Sequence, residues 1–293
     1  MKKLLILLLL LFVSTLCSAT PINIVVPVAP GGAIDAFSRT LSKILSDNGI
    51  ENIVLNQPGA NGDIAYRHVI NEKDNVILTG AIATFVFSNV VANRDNIFVD
   101  TMQVYGPVIS SPTAFMSNPN GFKTFNEMIA YAKKTPLPCG ATNAHGQSEM
   151  NRINKTYGTK FESVMYKGGG PVAQDLGGDN LRCAYDGVGS HIQRHNANML
   201  RILATADPTV VKVPLISSAL PGYKFSNWYG FALPNNSNLL DNPKVMNILK
   251  NITTYKEQLD VLTGDGKFIV EKPYTNMPAY LLKETRTYRD LAQ

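Results

Sequence analysis

Short apolar runs alternate with amphipathic stretches along most of this chain. Residues 22–27 (INIVVP) form an apolar run that stops at Pro27, and Ala36, Phe37 and Leu41 then recur at helical spacing. The alternation continues and predicts strands at 22–27, 53–56 and 76–80. Helices are expected at 33–47, 63–71 and within 84–93. Strand–helix–strand order demands parallel strands joined by crossover helices. A second set begins after Gly121, where Thr124 and Glu127 form a capping box that opens a helix to Lys134. Strands then fit 137–141, 163–166, 182–185 and 200–205, with helices around 148–157 and 171–176. Between the sets lie two apolar, extended segments, 104–115 and 224–233, the latter with Trp228 and Tyr229. They read as one crossing into a second unit and one crossing back, which makes a hinge. From Asp241 onward the pattern is helical and must pack on the first unit. The expected fold is α/β and two-lobed, each lobe a mostly parallel sheet flanked by helices. Lobe 1 is 20–105 plus 231–293, and lobe 2 is 106–230.

The first 19 residues change the picture of compartment. Lys2 and Lys3 precede an unbroken apolar run from Leu4 to Val13, and small residues follow up to Ala19. The run is too short for the ~20 residues that a bilayer span needs, so 1–19 reads as a signal peptide cleaved near Ala19/Thr20. A lipid anchor on Cys17 is the alternative. Removing 19 residues from 293 leaves 274, enough for two domains. The net charge of +5 includes Lys2 and Lys3, so the mature chain is near +3, with no basic block to suggest nucleic-acid binding. Cys139 and Cys183 then remain, and an even pair in an exported protein favours a disulfide. They fall on the first and third strands of the second unit, which are neighbours in a doubly wound sheet of order 2-1-3. Two separate buried thiols are the alternative. No cysteine or histidine spacing suits a metal.

The turn at 28–32 joins the first strand to its helix through Gly31 and Gly32. First-turn amides of a helix lack intrahelical partners and carry the positive dipole end, so this turn is a candidate anion site. An ordinary tight turn is the other reading. The loop 28–34 holds no Arg or Lys, and Arg39 is expected to point away from the helix N-terminus. An anion here must therefore be held by the amides of Gly31, Gly32 and Ala33. Asp35 reads as a charge that complements the dipole. The chain has no G-x-S-x-G, P-loop or H-E-x-x-H, and no G-x-G-x-x-G follows the first strand, which argues against catalysis and a dinucleotide.

Four stretches, in order, resemble the substrate-binding receptors of tripartite tricarboxylate transporters, the Bug family. They are PVAPGGAIDAFSR (27–39), NQPGANGDIA (56–65), YKGGGPVAQDLGGDNLRCAYDG (166–187) and WYGFALPNNS (228–237). Two stretches depart from the family pattern. ATNAHGQS (141–148) has degraded glycine spacing, and VKVPLI (211–216) keeps only Pro214 of a proline-rich segment. The resemblance implies a type II-like periplasmic-binding-protein fold that closes on a small organic carboxylate in the interlobe cleft. It also implies transporter membrane subunits as partners, a monomer, no cofactor and no catalysis. Carried onto this sequence, the ligand-binding set starts with Ala29, Pro30, Gly31, Gly32 and Ala33. Thr84 joins from the end of the third strand, with Phe85 read as core. Asn143, His145 and Ser148 come from one second-lobe loop, and Tyr166 and Lys167 from the next. Lys167 is the candidate direct cationic contact. Asp186, at a strand end, faces the cleft if the parallel-sheet rule holds. A carboxylate there disfavours citrate and favours a smaller or zwitterionic carboxylate. His68, His191 and His195 read as surface or packing residues. Two alternatives remain: an exported α/β enzyme acting on a phosphate or acyl substrate, and a receptor that feeds a sensor kinase.

Overall fold

The structure, a computed structural model, describes residues 20–31, 33–142, 144–166, 169–207, 211–223, 227–263 and 268–292. The expected leader, Gly32, Asn143 and Lys167 lie outside the described residues. The chain runs β1 (Ile22–Val26), α1 (Ala33–Asp47), β2 (Asn52–Asn56), α2 (Asp63–Glu72) and β3 (Val76–Ala81). A wide helical turn, Ala83–Phe87, leads into α3 (Ser88–Val91), α4 (Ile97–Thr101), β4 (Met102–Ser111) and β5 (Thr113–Ser117). Next come α5 (Phe125–Lys134), β6 (Leu137–Ala141), α6 (Ala144–Tyr157), β7 (Phe161–Met165), α7 (Gly169–Gly177) and β8 (Cys183–Gly187). The remainder is α8 (Ile192–Asn196), β9 (Arg201–Thr205), β10 (Asn227–Pro234), α9 (Pro243–Lys250), α10 (Lys256–Thr263), β11 (Ile269–Val270) and α11 (Met277–Ala292).

These strands form two sheets, of order β11-β4-β10-β3-β1-β2 and β7-β6-β8-β5-β9. In each sheet the β-α-β part is parallel, β1 between β2 and β3, and β6 between β7 and β8. The rest is antiparallel, because β10 runs against β3 and β4, and β5 runs against β8 and β9. The sheets are therefore mixed. The antiparallel part comes from the strands that cross between them, whose direction the hydrophobic pattern does not encode. Only Pro112 separates β4 in one sheet from β5 in the other. On the return, Asn227 of β10 lies opposite Ser111, so both crossings run side by side.

Local chemistry explains the elements. In α1, Phe37, Leu41, Ile44 and Leu45 are fully buried, a single stripe at helical spacing. The stripe packs on Ile22, Ile24 and Val26 of β1 and on Val245, Ile248 and Leu259 of the C-terminal helices. Thus the helical tail does cover the first sheet. The opposite face of β1 presents Val25 to a second cluster with Leu78, Phe85, Trp228 and Leu281. There Phe85 stacks on Trp228 with ring centroids 5.6 Å apart, which makes it a core residue. In the second sheet Phe115, Phe161 and Tyr185 pack as an aromatic cluster beneath α5. The hydroxyl of Thr124 accepts the Glu127 amide at 3.2 Å, which caps α5 as the sequence implies.

Cys139 and Cys183 face each other in the β6–β8 register, with Cα atoms 4.5 Å apart, and are disulfide-bonded. Both are fully buried. Among the described residues, no helix is long and apolar enough to cross a membrane.

Candidate functional site

The turn that follows β3 and the helix that follows β6 meet at one seam, where Phe87 lies against His145. On the first side, the loop after β1 is braced from below. Asp35 is the third residue of α1, and its carboxylate reaches back to accept the Gly31 amide at 2.9 Å. The same carboxylate accepts Arg39 Nε at 2.9 Å and Asn56 Nδ2 at 2.9 Å. Asn56 also donates to the Val28 carbonyl at 3.0 Å. Burial disfavours the Asp35 charge, but the bonds from Arg39, Gly31 and Asn56 outweigh it and hold its pKa below the usual carboxylate value. Two expectations change. Arg39 folds back onto the first turn, because an acidic residue four positions earlier offers it a bidentate partner. The Gly31 amide is donated to Asp35, so within this loop the anion-facing donor assigned to it is already engaged. Gly31 itself is exposed and has φ +91°, a backbone that glycine tolerates best. Ala29 and Pro30 are exposed beside it and Ala33 is half-buried. Thr84 is buried, near Gly62 and Pro27, and its hydroxyl accepts the Ala81 amide at 3.4 Å.

On the second side, Asp186, the penultimate residue of β8, is locked. One carboxylate oxygen accepts the Thr142 hydroxyl at 2.8 Å, and the other pairs with Nε2 of His191 at 2.9 Å. The expected acceptor for a ligand hydroxyl or ammonium is thus already occupied on both oxygens by protein partners. His191, fully buried, is the packing residue that holds it. His145 and Ser148 do not sit on a loop: α6 begins at Ala144, four residues earlier than the periodicity suggests. The polar turn His145–Gly146–Gln147 carries no apolar stripe, so its helicity was invisible to a pattern argument. His145 is buried, and its pKa is pushed down to about 3, first by burial and then by the charge of Arg152. Ser148 is half-buried. Tyr166 donates its hydroxyl to Asp175 at 2.7 Å, and burial, then Asp175, push its pKa up to about 12.

Between the two sides, His145 lies against Phe87, with ring centroids 4.6 Å apart. A narrow cavity of about 10 Å³, room for roughly one water, is lined by Thr113, Thr142, His145, Tyr185, Asp186 and Asn227. Of these, His145 and Asp186 belong to the expected set. Thr113, Thr142, Tyr185 and Asn227 were missed; Thr113 and Asn227 sit on the crossing strands, which the sequence marked as a hinge but not as cavity lining. Arg152, beside Glu149 on α6, was missed as well. No apolar pattern flags an ion pair that burial in a seam makes important.

A UPF0065 protein of Bordetella bronchiseptica is 27% identical over 213 residues, 69% of this chain. The chain covers 64% of that relative's length, less than two thirds. Protein BugT of Bordetella pertussis is 23% identical over 248 residues, 79% of this chain and 74% of BugT. The chain is similar to the UPF0065 and Bug proteins. No protein-family profile matches it. MatC from Rhodopseudomonas palustris with bound malate superposes with a TM-score of 0.76 at 18% identity, over 93% of this chain and 99% of MatC. A second R. palustris protein, with adipate, gives 0.73 at 19%, over 93% and 96%. Identities this low establish a shared fold. That fold has two mixed sheets flanked by helices, as in two-lobed binding proteins.

Proposed function

We propose that the protein is an exported, non-enzymatic receptor that captures a small organic carboxylate and delivers it to a tripartite tricarboxylate-type membrane transporter. The observation that supports this reading is the seam where Phe87, after β3, lies against His145, after β6, since open α/β sheets bind ligands beyond strand C-termini. The lobes are taken as 20–105 with 231–293, and 106–230, hinged at the paired crossings around Pro112 and Asn227. The ligand set is Ala29, Pro30, Gly31, Gly32, Ala33 and Thr84 on one side, with Asn143, His145, Ser148, Tyr166, Lys167 and Asp186 on the other. The Gly31 bond to Asp35 makes that carboxylate a brace that shapes the loop. The remaining first-turn amides and the α1 dipole then supply the anion contacts. Asp186, held by Thr142 and His191, places a carboxylate at the cavity wall, which favours a short dicarboxylate or an amino acid over citrate. The malate and adipate carried by structural likenesses are of that size. Closure of the lobes around the ligand is expected.

A thermal-shift screen tests the proposal. A short dicarboxylate or an amino acid at 100 times its dissociation constant should stabilise the protein by ~2.7 kcal/mol. If no organic acid raises the melting temperature while a phosphate or acyl ester does, the exported-enzyme reading replaces this one.

A further inference from the structure

We propose that Tyr288 on α11 and Glu149 on α6 form a clasp across the lobe seam, which holds the first turns of α6 in place and sets how readily the lobes part. The helix α11 belongs to the first lobe. Its Tyr280 hydroxyl accepts Trp228 Nε1 at 3.0 Å, and its Thr285 hydroxyl accepts Asn96 Nδ2 at 2.9 Å. One turn beyond Thr285, the buried Tyr288 donates its hydroxyl to Glu149 Oε1 at 2.7 Å. Glu149 lies on the second lobe and is fully buried. A second strut crosses nearby, where Lys155 Nζ donates to the Asp290 carbonyl at 3.3 Å. The Tyr288 ring also lies on Phe87, with centroids 4.4 Å apart, and Phe87 lies on His145 at 4.6 Å. Three rings from three elements therefore pack across the seam.

The electrostatics make the clasp reversible. The carboxylate of Glu149 is paired within its own helix, accepting Arg152 Nε at 3.0 Å and Nη2 at 2.7 Å. Arg152 in turn lies over the Tyr223 ring, 5.0 Å from its centroid. This ion pair travels with the second lobe when the seam opens, so no buried charge is orphaned, which is what makes breaking a buried pair so costly. At Glu149 the bond that lets go is the one from the Tyr288 hydroxyl; the Lys155–Asp290 bond and the Phe87–His145 contact part with it. One hydrogen bond to a charged group then shifts the opening equilibrium about ten- to a hundredfold. The clasp stands on this geometry and not on the ligand's identity, whereas its effect on ligand affinity rests on the receptor reading above.

The test uses the ligand-free full protein and compares wild type with Tyr288→Phe and Tyr280→Phe. Tyr280→Phe removes a hydrogen bond from the same helix to Trp228, on β10 of the first sheet, and serves as the control. Hydrogen exchange of the α6 amides should speed up at least about tenfold in Tyr288→Phe, while exchange in β1 stays as in wild type. The radius of gyration from small-angle scattering should rise in Tyr288→Phe and stay unchanged in Tyr280→Phe. Three results overturn the clasp: faster exchange in β1 as well as α6, the same changes in Tyr280→Phe, or no change in Tyr288→Phe. Because no ligand is present, failure to bind a carboxylate leaves every one of these readouts where it was.

Discussion

The carboxylate of Asp35 accepts the backbone amide of Gly31 at 2.9 Å, so the helix that follows the glycine turn ties the turn down from its own third residue. Asp35→Asn should cost about 1–3 kcal/mol in urea unfolding, because a buried, charge-assisted acceptor is lost to Arg39 and Gly31 at once. Its pKa in the folded protein lies below the ordinary 3.8. The stabilisation is therefore fully present above about pH 3.8 and is lost as pH falls through the lower, folded value. Asp35→Asn should lose that part of the acid sensitivity, and equal acid slopes for variant and wild type would refute the assignment.

The glycine turn separates backbone strain from ligand contact. A Cβ at Gly31 meets nothing within 4 Å, yet φ is +91°. Gly31→Ala should thus cost ~1–2 kcal/mol from backbone conformation alone. Gly32→Val or Gly32→Pro should abolish carboxylate binding in calorimetry while the circular-dichroism spectrum is kept. Unchanged affinity in either variant removes the loop from the site.

His145 makes stability fall in mild acid. It is neutral in the fold, with its pKa depressed to about 3 from 6.5, so the unfolded chain binds its proton first. Stability is full above about pH 6.5 and drops toward pH 3 by at most about 1.4 kcal/mol per pH unit. Denaturant midpoints at several pH values should show this slope, and His145→Gln should flatten it.

The Cys139–Cys183 bond closes a separation of 44 residues. Loop entropy assigns it ~3–4 kcal/mol, which the Cys139→Ala/Cys183→Ala double variant should lose. Intact mass of unreduced, alkylated protein from the exported fraction should show no alkyl adducts. Two adducts would show that the two thiols remain unjoined.

Sequence alone determined what is encoded over a few neighbouring residues. The stripe Phe37, Leu41, Ile44, Leu45 and the Thr124–Glu127 box specify helices before any tertiary contact forms. The β-α-β order then makes β6 and β8 neighbours, which is why the Cys139–Cys183 pairing was legible. Tertiary structure decided the rest. Asp186 meets Thr142 across 44 positions, and Tyr288 meets Glu149 across 139. Such bonds depend on where folded elements come to lie, and no periodicity records that. The start of α6 was hidden for a related reason: His145 is buried by Phe87 from the other lobe, not by an apolar stripe of its own helix. Likewise, the antiparallel direction of β5 and β10 follows from the chain crossing between two sheets and back, a property of the assembled fold.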